Sequence, residues 1–160
     1  MFTNTRNYRA EIIRYEERFK QDFIEMNKDW TQEYFTLEAH DLEQLNDIDK
    51  LMSDGAMIYF AIENEKVLST CMTAPIKNDT WEICKFATNK NAQGKGAGKA
   101  VFKAALDYAI KKEAKKVVIY SNHSLKPALH IYHSFGFKEV PVDIDDYDRC
   151  NYQAELVVGN

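Results

Sequence analysis

The sequence predicts a domain of mixed α and β structure, and three observations carry that expectation. Three runs rich in strand formers follow one another between Met57 and Thr88 with short polar breaks, the pattern of an antiparallel meander. Beyond Gly98 the residues Val101, Phe102, Ala105, Leu106, Ala109 and Ile110 recur at helical spacing. The last apolar run, Asn151 to Val158, alternates Tyr152, Ala154, Leu156 and Val158 against Gln153 and Glu155, as a half-exposed strand does. A chain of 160 residues, 45% apolar and 29% charged, has the size and balance of one core rather than two. Only three prolines and six glycines occur, and no linker or repeat interrupts the chain. One domain over residues 1–160 is expected.

Element by element, a short strand is expected near Tyr8 to Tyr15, then an amphipathic helix carrying Phe19, Phe23, Ile24 and Met26 and ending near Trp30. A second helix fits Asp41 to Met52: Asp41 and Gln44 resemble a capping box, and Leu42, Leu45, Ile48, Leu51 and Met52 form one apolar stripe. Gly55 is its stop. Strands follow at Met57 to Glu63, Val67 to Ala74 and Thr80 to Thr88. The long helix after Gly98 ends in the cluster Lys111, Lys112, Lys115 and Lys116, where cations suit the helix dipole. Val117 to Ser121 is a strand too short to be a helix, and Pro127 before Ala128 to Phe135, with Gly136 after it, marks another helix.

Charge and composition exclude several classes of function. Lys plus Arg number 21 against 25 Asp plus Glu, a net charge of −4, and the calculated isoelectric point is 5.6. No clustered positive excess suits a nucleic-acid partner. Mean hydropathy is −0.50, and no apolar run approaches the roughly 18 residues a membrane span needs. The segment Met1 to Arg6 lacks a basic stretch followed by an apolar one, so a cytoplasmic protein is expected. Cys71, Cys84 and Cys150 are odd in number and lack CxxC spacing, and read as reduced thiols. His130 and His133 stand three apart on a predicted helix, but no carboxylate completes a metal motif, and no metal is expected.

The most informative stretch is Gln93-Gly94-Lys95-Gly96-Ala97-Gly98, set between a predicted strand and a predicted helix. Glycines let backbone approach an anion closely, and the free N–H groups of the next helical turn attract phosphate. Lys99 is followed by Ala100 rather than Ser or Thr, so this is not a Walker loop. Gln93, Gly96 and Gly98 resemble the acyl-CoA loop of the GNAT superfamily of N-acyltransferases. Downstream, Ala128, Tyr132 and Gly136-Phe137 resemble that superfamily's helix-borne Ala and Tyr followed by Gly-Phe, and the likeness covers roughly Thr80 to Val140. One position departs: many members carry Asn seven residues before the Tyr, and here that place holds Leu125, with Asn122 the nearest substitute.

The resemblance implies an α+β fold whose mixed, mostly antiparallel central sheet splays open and is flanked by helices. It implies acetyl-CoA as co-substrate and acetyl transfer to a primary amine by direct attack. The backbone of Phe86, Ala87 and Thr88 would hold the pantetheine arm like an added strand, with Asn122 beside it. Gln93, Gly94, Lys95, Gly96, Ala97, Gly98 and Lys99 would hold the pyrophosphate. Tyr132 would donate a proton or hydrogen bond to the departing sulfur, and a backbone N–H near Ala87 would stabilise the oxyanion. An alkyl amine has a pKa of about 10 and must lose a proton to attack. Glu82, four residues before Phe86 and, with regular alternation, on the face of Cys84 and Phe86, could accept it directly or through water.

On the acceptor side, Trp30, Tyr34 and Phe35 form either a pocket wall or plain core. The acidic stretch Asp143, Asp145, Asp146 and Asp148 reads as a solvated loop, and Arg149 as a clamp for an acceptor carboxylate or a partner of those aspartates. A small-molecule amine is preferred over a protein acceptor, since no docking extension is evident, and a homodimer is left open. Two alternatives stand: acetylation of a protein N-terminus or lysine, and a non-catalytic acyl-CoA sensor.

Overall fold

The computed structural model describes residues 10–94, 96–143 and 150–159, without the side chain of His40. The readings placed on Lys95, Asp145, Asp146, Asp148, Arg149 and the start of the first strand therefore lie outside the described residues. In chain order the elements are β1 (Glu11–Arg14), α1 (Lys20–Tyr34), α2 (Ala39–Asn46), α3 (Ile48–Ser53), β2 (Met57–Glu63), β3 (Lys66–Lys77), β4 (Thr80–Thr88), α4 (Ala97–Lys111), β5 (Lys116–Ser121), α5 (Lys126–Ser134), β6 (Lys138–Val140) and β7 (Tyr152–Val157). The α+β expectation holds, and so does the meander.

One seven-stranded sheet runs β1-β2-β3-β4-β5-β7-β6. Both meander turns use two residues with left-handed backbone, Asn64-Glu65 (φ 53° and 64°) and Asn78-Asp79 (φ 52° and 61°). Such turns match the twist of paired strands. They carry β3 past the expected Ala74 to Lys77. All neighbouring strands pair antiparallel except β4 and β5, which run parallel and pair only at Thr80↔Lys116, Trp81↔Val117 and Glu82↔Val118. Beyond Glu82, β4 stays paired with β3 and β5 stays paired with β7, so the sheet opens between them.

A bulge in β4 accompanies the opening. Thr70 pairs with Ala87 and Met72 with Cys84, so Cys71 alone faces both Lys85 and Phe86. Lys85 takes φ 52°. A bulge bends its strand and strengthens the twist, which turns β4 away from β5.

The sheet buries a different core on each face. Under α4, Val101, Phe102, Ala105 and Ala109 pack on Ile83, Val117 and Ile119. Under α1 to α3, Phe23, Leu45 and Ile48 pack on Ile58, Phe60 and Met72. The Phe102 ring lies 5.4 to 5.8 Å from the rings of Phe86, Tyr132, Phe135 and Phe137, joining α4 and α5 to the bulged strand.

The N-terminal helices differ in detail from the expectation. The apolar stripe of Asp41 to Met52 is carried by two helices, because Asp47 leaves helical geometry at φ −106° and ψ 22°. The capping box is Glu38 with Asp41, and Asp41 is its third helical residue rather than its cap. The first helix runs on past Trp30 to Tyr34. Among the described residues no helix is long and apolar enough to cross a membrane.

Candidate functional site

The opening between β4 and β5 leads into a cavity of about 720 Å³. Its floor is the unpaired edge of β4, one end is the glycine turn, and the other is formed by α1 and α2. Pairing that stops halfway along a parallel ladder leaves backbone N–H and C=O groups without strand partners. An extended ligand arm could take them up.

The glycine turn explains its own composition. Gly94 and Gly96 have φ 82° and 86°, the left-handed region that side chains adopt only with strain. Gly98 needs its small size instead: a Cβ there would lie 3.0 Å from Thr88 Oγ1 and 3.5 Å from the Phe86 ring. This close approach seats the first turn of α4 directly on the end of β4. Gln93, Gly94, Gly96, Gly98 and the exposed Lys99 all line the cavity. Ala97 is buried behind them and is not part of the lining. The free N–H groups of a helical first turn, set behind left-handed glycines, are groups that could hold a diphosphate. Phe86 and Thr88 line the cavity as expected, whereas Ala87 is 2% exposed and its carbonyl accepts a 2.9 Å hydrogen bond from Ser69 Oγ.

Tyr132 reaches the same cavity from α5. Its ring lies 5.4 Å from Phe102 and 6.3 Å from both Phe86 and Tyr152, and the residue is only 6% exposed. Burial raises the pKa of its phenol, with the neighbouring Cys71 and Cys84 acting in the same sense and Ser121 opposing. The hydroxyl therefore stays protonated at neutral pH and can donate. Asn122 lines the cavity too, and its Oδ1 accepts a 2.9 Å hydrogen bond from the Ser124 N–H. Leu125, at the position where the resemblance leads one to look for Asn, is buried and lines the same wall.

Glu82 sits where the β4–β5 ladder ends, half-buried and facing the cavity. Burial raises its pKa, and the Lys85 ammonium pulls in the opposite direction. The expectation that Glu82, Cys84 and Phe86 share a face is corrected by the bulge. Cys84 packs with the core under α1, while Phe86 packs with the core under α4. Burial, and next the charge of Glu82, pushes the Cys84 thiol up to about 12, which leaves it a poor nucleophile.

Trp30, Tyr34 and Phe35 line the acceptor end, with ring centroids 5.3 to 6.5 Å apart. Tyr34 is 42% exposed, so the group is a wall rather than core. His130 also lines the cavity, whereas His133 Nε2 lies 3.0 Å from the Tyr152 hydroxyl. Among the described residues no group of three or more His, Cys, Asp or Glu could hold a metal ion.

Lys85, Tyr120, Asn27 and Asp41 also line the cavity, and no sequence signal gave them that place. Tyr120 reaches it because β5 has parted from β4, and Lys85 because of the bulge. Burial, with Asp143 and Glu82 next, raises the Tyr120 phenol to about 12.

A splayed sheet, a left-handed glycine turn seated on its open strand and a buried tyrosine across the gap are together the arrangement of an acyl-CoA-dependent transferase fold. Residues 18–137 match the Acetyltransferase (GNAT) family, and the chain belongs to that family. The fold is similar to that of a GNAT-family acetyltransferase from Staphylococcus aureus Mu50, with a TM-score of 0.82 at 17% identity over 91% of this chain and 97% of that one. It is also similar to PaiA N-acetyltransferase from Thermoplasma acidophilum in complex with coenzyme A (TM-score 0.74, 16% identity, 94% and 100% of the chains). A third is YncA from Salmonella typhimurium with its cofactor acetyl-CoA (0.75, 15%, 96% and 96%). No curated protein matches the sequence.

Proposed function

We propose that residues 1–160 form a single cytoplasmic N-acetyltransferase domain that moves an acetyl group from acetyl-CoA to the primary amine of a small molecule. The observation that carries this reading is the coincidence, in one cavity, of the open β4 edge, the glycine turn and the protonated phenol of Tyr132. Acetyl-CoA supplies the acetyl group and a thiol leaving group when bound. The glycine turn and the first turn of α4 hold its diphosphate, with Lys99 adding charge at the rim, and the edge of β4 at Phe86 to Thr88 holds its pantetheine arm.

Glu82 takes the proton of the incoming ammonium, directly or through water. Burial raises the pKa of Glu82, and a carboxylate so raised is a stronger base than an ordinary one. Tyr132 donates to the departing sulfur from the cavity wall, its phenol kept protonated by burial. The raised thiol pKa of Cys84 favours direct attack by the amine over a route through an acyl-cysteine.

Calorimetric titration with acetyl-CoA tests the donor site, followed by thiol release across a panel of amines and N-terminal peptides. Micromolar binding is expected, lost in a folded Gly96→Val, Gly98→Val double variant. Absence of binding to the wild type would remove the reading. Binding without turnover of any amine would leave an acyl-CoA sensor, and peptide turnover above that of free amines would point to a protein acceptor.

A further inference from the structure

Among the described residues of the cavity, Lys85 is a charged group that the chemistry above does not use. Its place follows from the bulge. In a regular strand Lys85 would share the face of Ile83 and point into the core under α4. The extra residue instead sets Cys84 and Lys85 in succession on the side of α1 and α2, with Lys85 at φ 52°. A residue other than Gly holds such a backbone at a cost, so the surroundings fix where Lys85 leaves the strand, and the hydrogen bond to Gln44 directs its stem.

The Lys85 ammonium donates to Gln44 Oε1 on α2. An ammonium has three donors, and a neutral amide takes one of them without offsetting the charge. Among the described residues no carboxylate lies within ion-pair distance of it. The two carboxylates at this end of the cavity have other engagements: Asp41 Oδ2 accepts the Glu38 N–H at 2.8 Å as the third helical residue of the capping box, and Glu82 faces the amine in the proposed reaction. The same cavity is lined by Trp30, Tyr34 and Phe35, neighbouring aromatic rings with Tyr34 partly open to solvent. The acceptor end thus offers a carboxylate for an amine, a fixed cation for an anion and an aromatic wall for an apolar body.

Resting on the acetyl-transfer reading, we propose that the acceptor is a free amino acid with an aromatic or similarly large apolar side chain. Lys85 holds its α-carboxylate, Trp30, Tyr34 and Phe35 hold its side chain, and its α-amine lies toward Glu82. The α-ammonium gives up two protons and gains an amide C–N bond as the thioester C–S bond breaks. One proton ends on the released thiol and the other in solvent.

The test compares thiol release with L-phenylalanine, phenethylamine, which lacks the carboxylate, and phenylalaninamide, which presents an amide as a peptide does. The expected kcat/KM for phenylalanine exceeds that of either analogue by roughly tenfold to a hundredfold, the worth of a hydrogen bond to a charged group. Lys85→Met should collapse this preference, with the loss read in KM for phenylalanine, and Lys85→Arg should restore most of it. Equal use of phenylalanine and phenethylamine by the wild type overturns the proposal, as does a Lys85→Met variant that slows all three alike. A wild-type preference for phenylalaninamide overturns it in favour of a peptide N-terminus. Failure of the underlying reading has a separate signature, the lack of any calorimetric binding of acetyl-CoA, whereas acetyl-CoA binding with phenethylamine as the best acceptor removes the amino acid and keeps the transferase.

Discussion

On one side of the cavity, the glycine turn and the open edge of β4 present backbone; on the other, α1, α2 and the bulge present the side chains of Trp30, Tyr34, Asp41 and Lys85. Backbone groups suit a ligand that never changes, such as a diphosphate on an extended arm, and they demand residues that get out of the way. Gly98 is such a residue, since any Cβ there would crowd Thr88 Oγ1. Side chains suit a ligand that differs from one protein to the next, and they constrain the sequence far less. The two walls should therefore respond differently to substitution: the backbone wall by losing binding altogether, the side-chain wall by changing what is accepted.

The largest effect is expected from the backbone wall. Val at Gly96 must adopt a left-handed backbone, and Val at Gly98 must push Thr88 aside, each at roughly 1–3 kcal/mol. Together they should weaken acetyl-CoA binding by at least about a hundredfold in calorimetry, with the melting curve confirming a folded protein. Retained affinity would mean that the glycines only let strand meet helix.

That same difference explains what could be read from the sequence. The meander, the helix after Gly98 and the glycine turn were legible because alternation, helical period and glycine spacing are local signals. The opening beyond Glu82 was legible only through a resemblance, since nothing in the residues of β5 announces that its pairing stops at Val118. The bulge at Lys85 left no mark, because no Gly stands at the left-handed position. It was the bulge that separated Phe86 from the face of Glu82 and Cys84, and that brought Lys85 into the cavity. Asp41 was read as the cap of a box with Gln44; it is instead the third helical residue of a box with Glu38, and its place in the cavity wall depends on where the helix docks.

Next in size is Tyr132→Phe, which removes one hydroxyl from a ring held on three sides by other rings. Turnover should fall by roughly tenfold to a thousandfold, within the range of general acid catalysis, while acetyl-CoA affinity stays nearly intact. The packing is unchanged by this substitution, so unaltered turnover would leave Tyr132 a core residue and nothing more.

Glu82→Gln should lower turnover by roughly tenfold to a hundredfold and remove the acid limb of the pH profile. Wild-type activity should fall as the pH drops through a pKa above the ordinary carboxylate value, because burial disfavours the charge. Stability should move the other way. A carboxyl whose folded pKa is raised binds its proton more tightly in the folded state, so its stabilising contribution is present at low pH and lost as the pH rises through the folded pKa. Glu82→Gln is thus expected to raise Tm by a few degrees at about pH 8 and to leave it unchanged near pH 4. An equal shift at both pH values would mean that packing, not charge, separates the two side chains.

The smallest effect tests the side-chain wall. Trp30 stands at the acceptor end, half-buried, with its ring 5.3 Å from Tyr34 and 6.2 Å from Phe35. Trp30→Ala removes one side of that aromatic surface but touches neither the glycine turn nor the edge of β4. The loss of an aromatic contact worth about 0.5–1.5 kcal/mol beyond its area should raise the acceptor KM by roughly threefold to tenfold. The acetyl-CoA affinity should not move, and Trp30→Phe should recover most of the loss. A change in acetyl-CoA binding would instead couple the two walls through α1, and the division between a backbone site for the donor and a side-chain site for the acceptor would fail at that point.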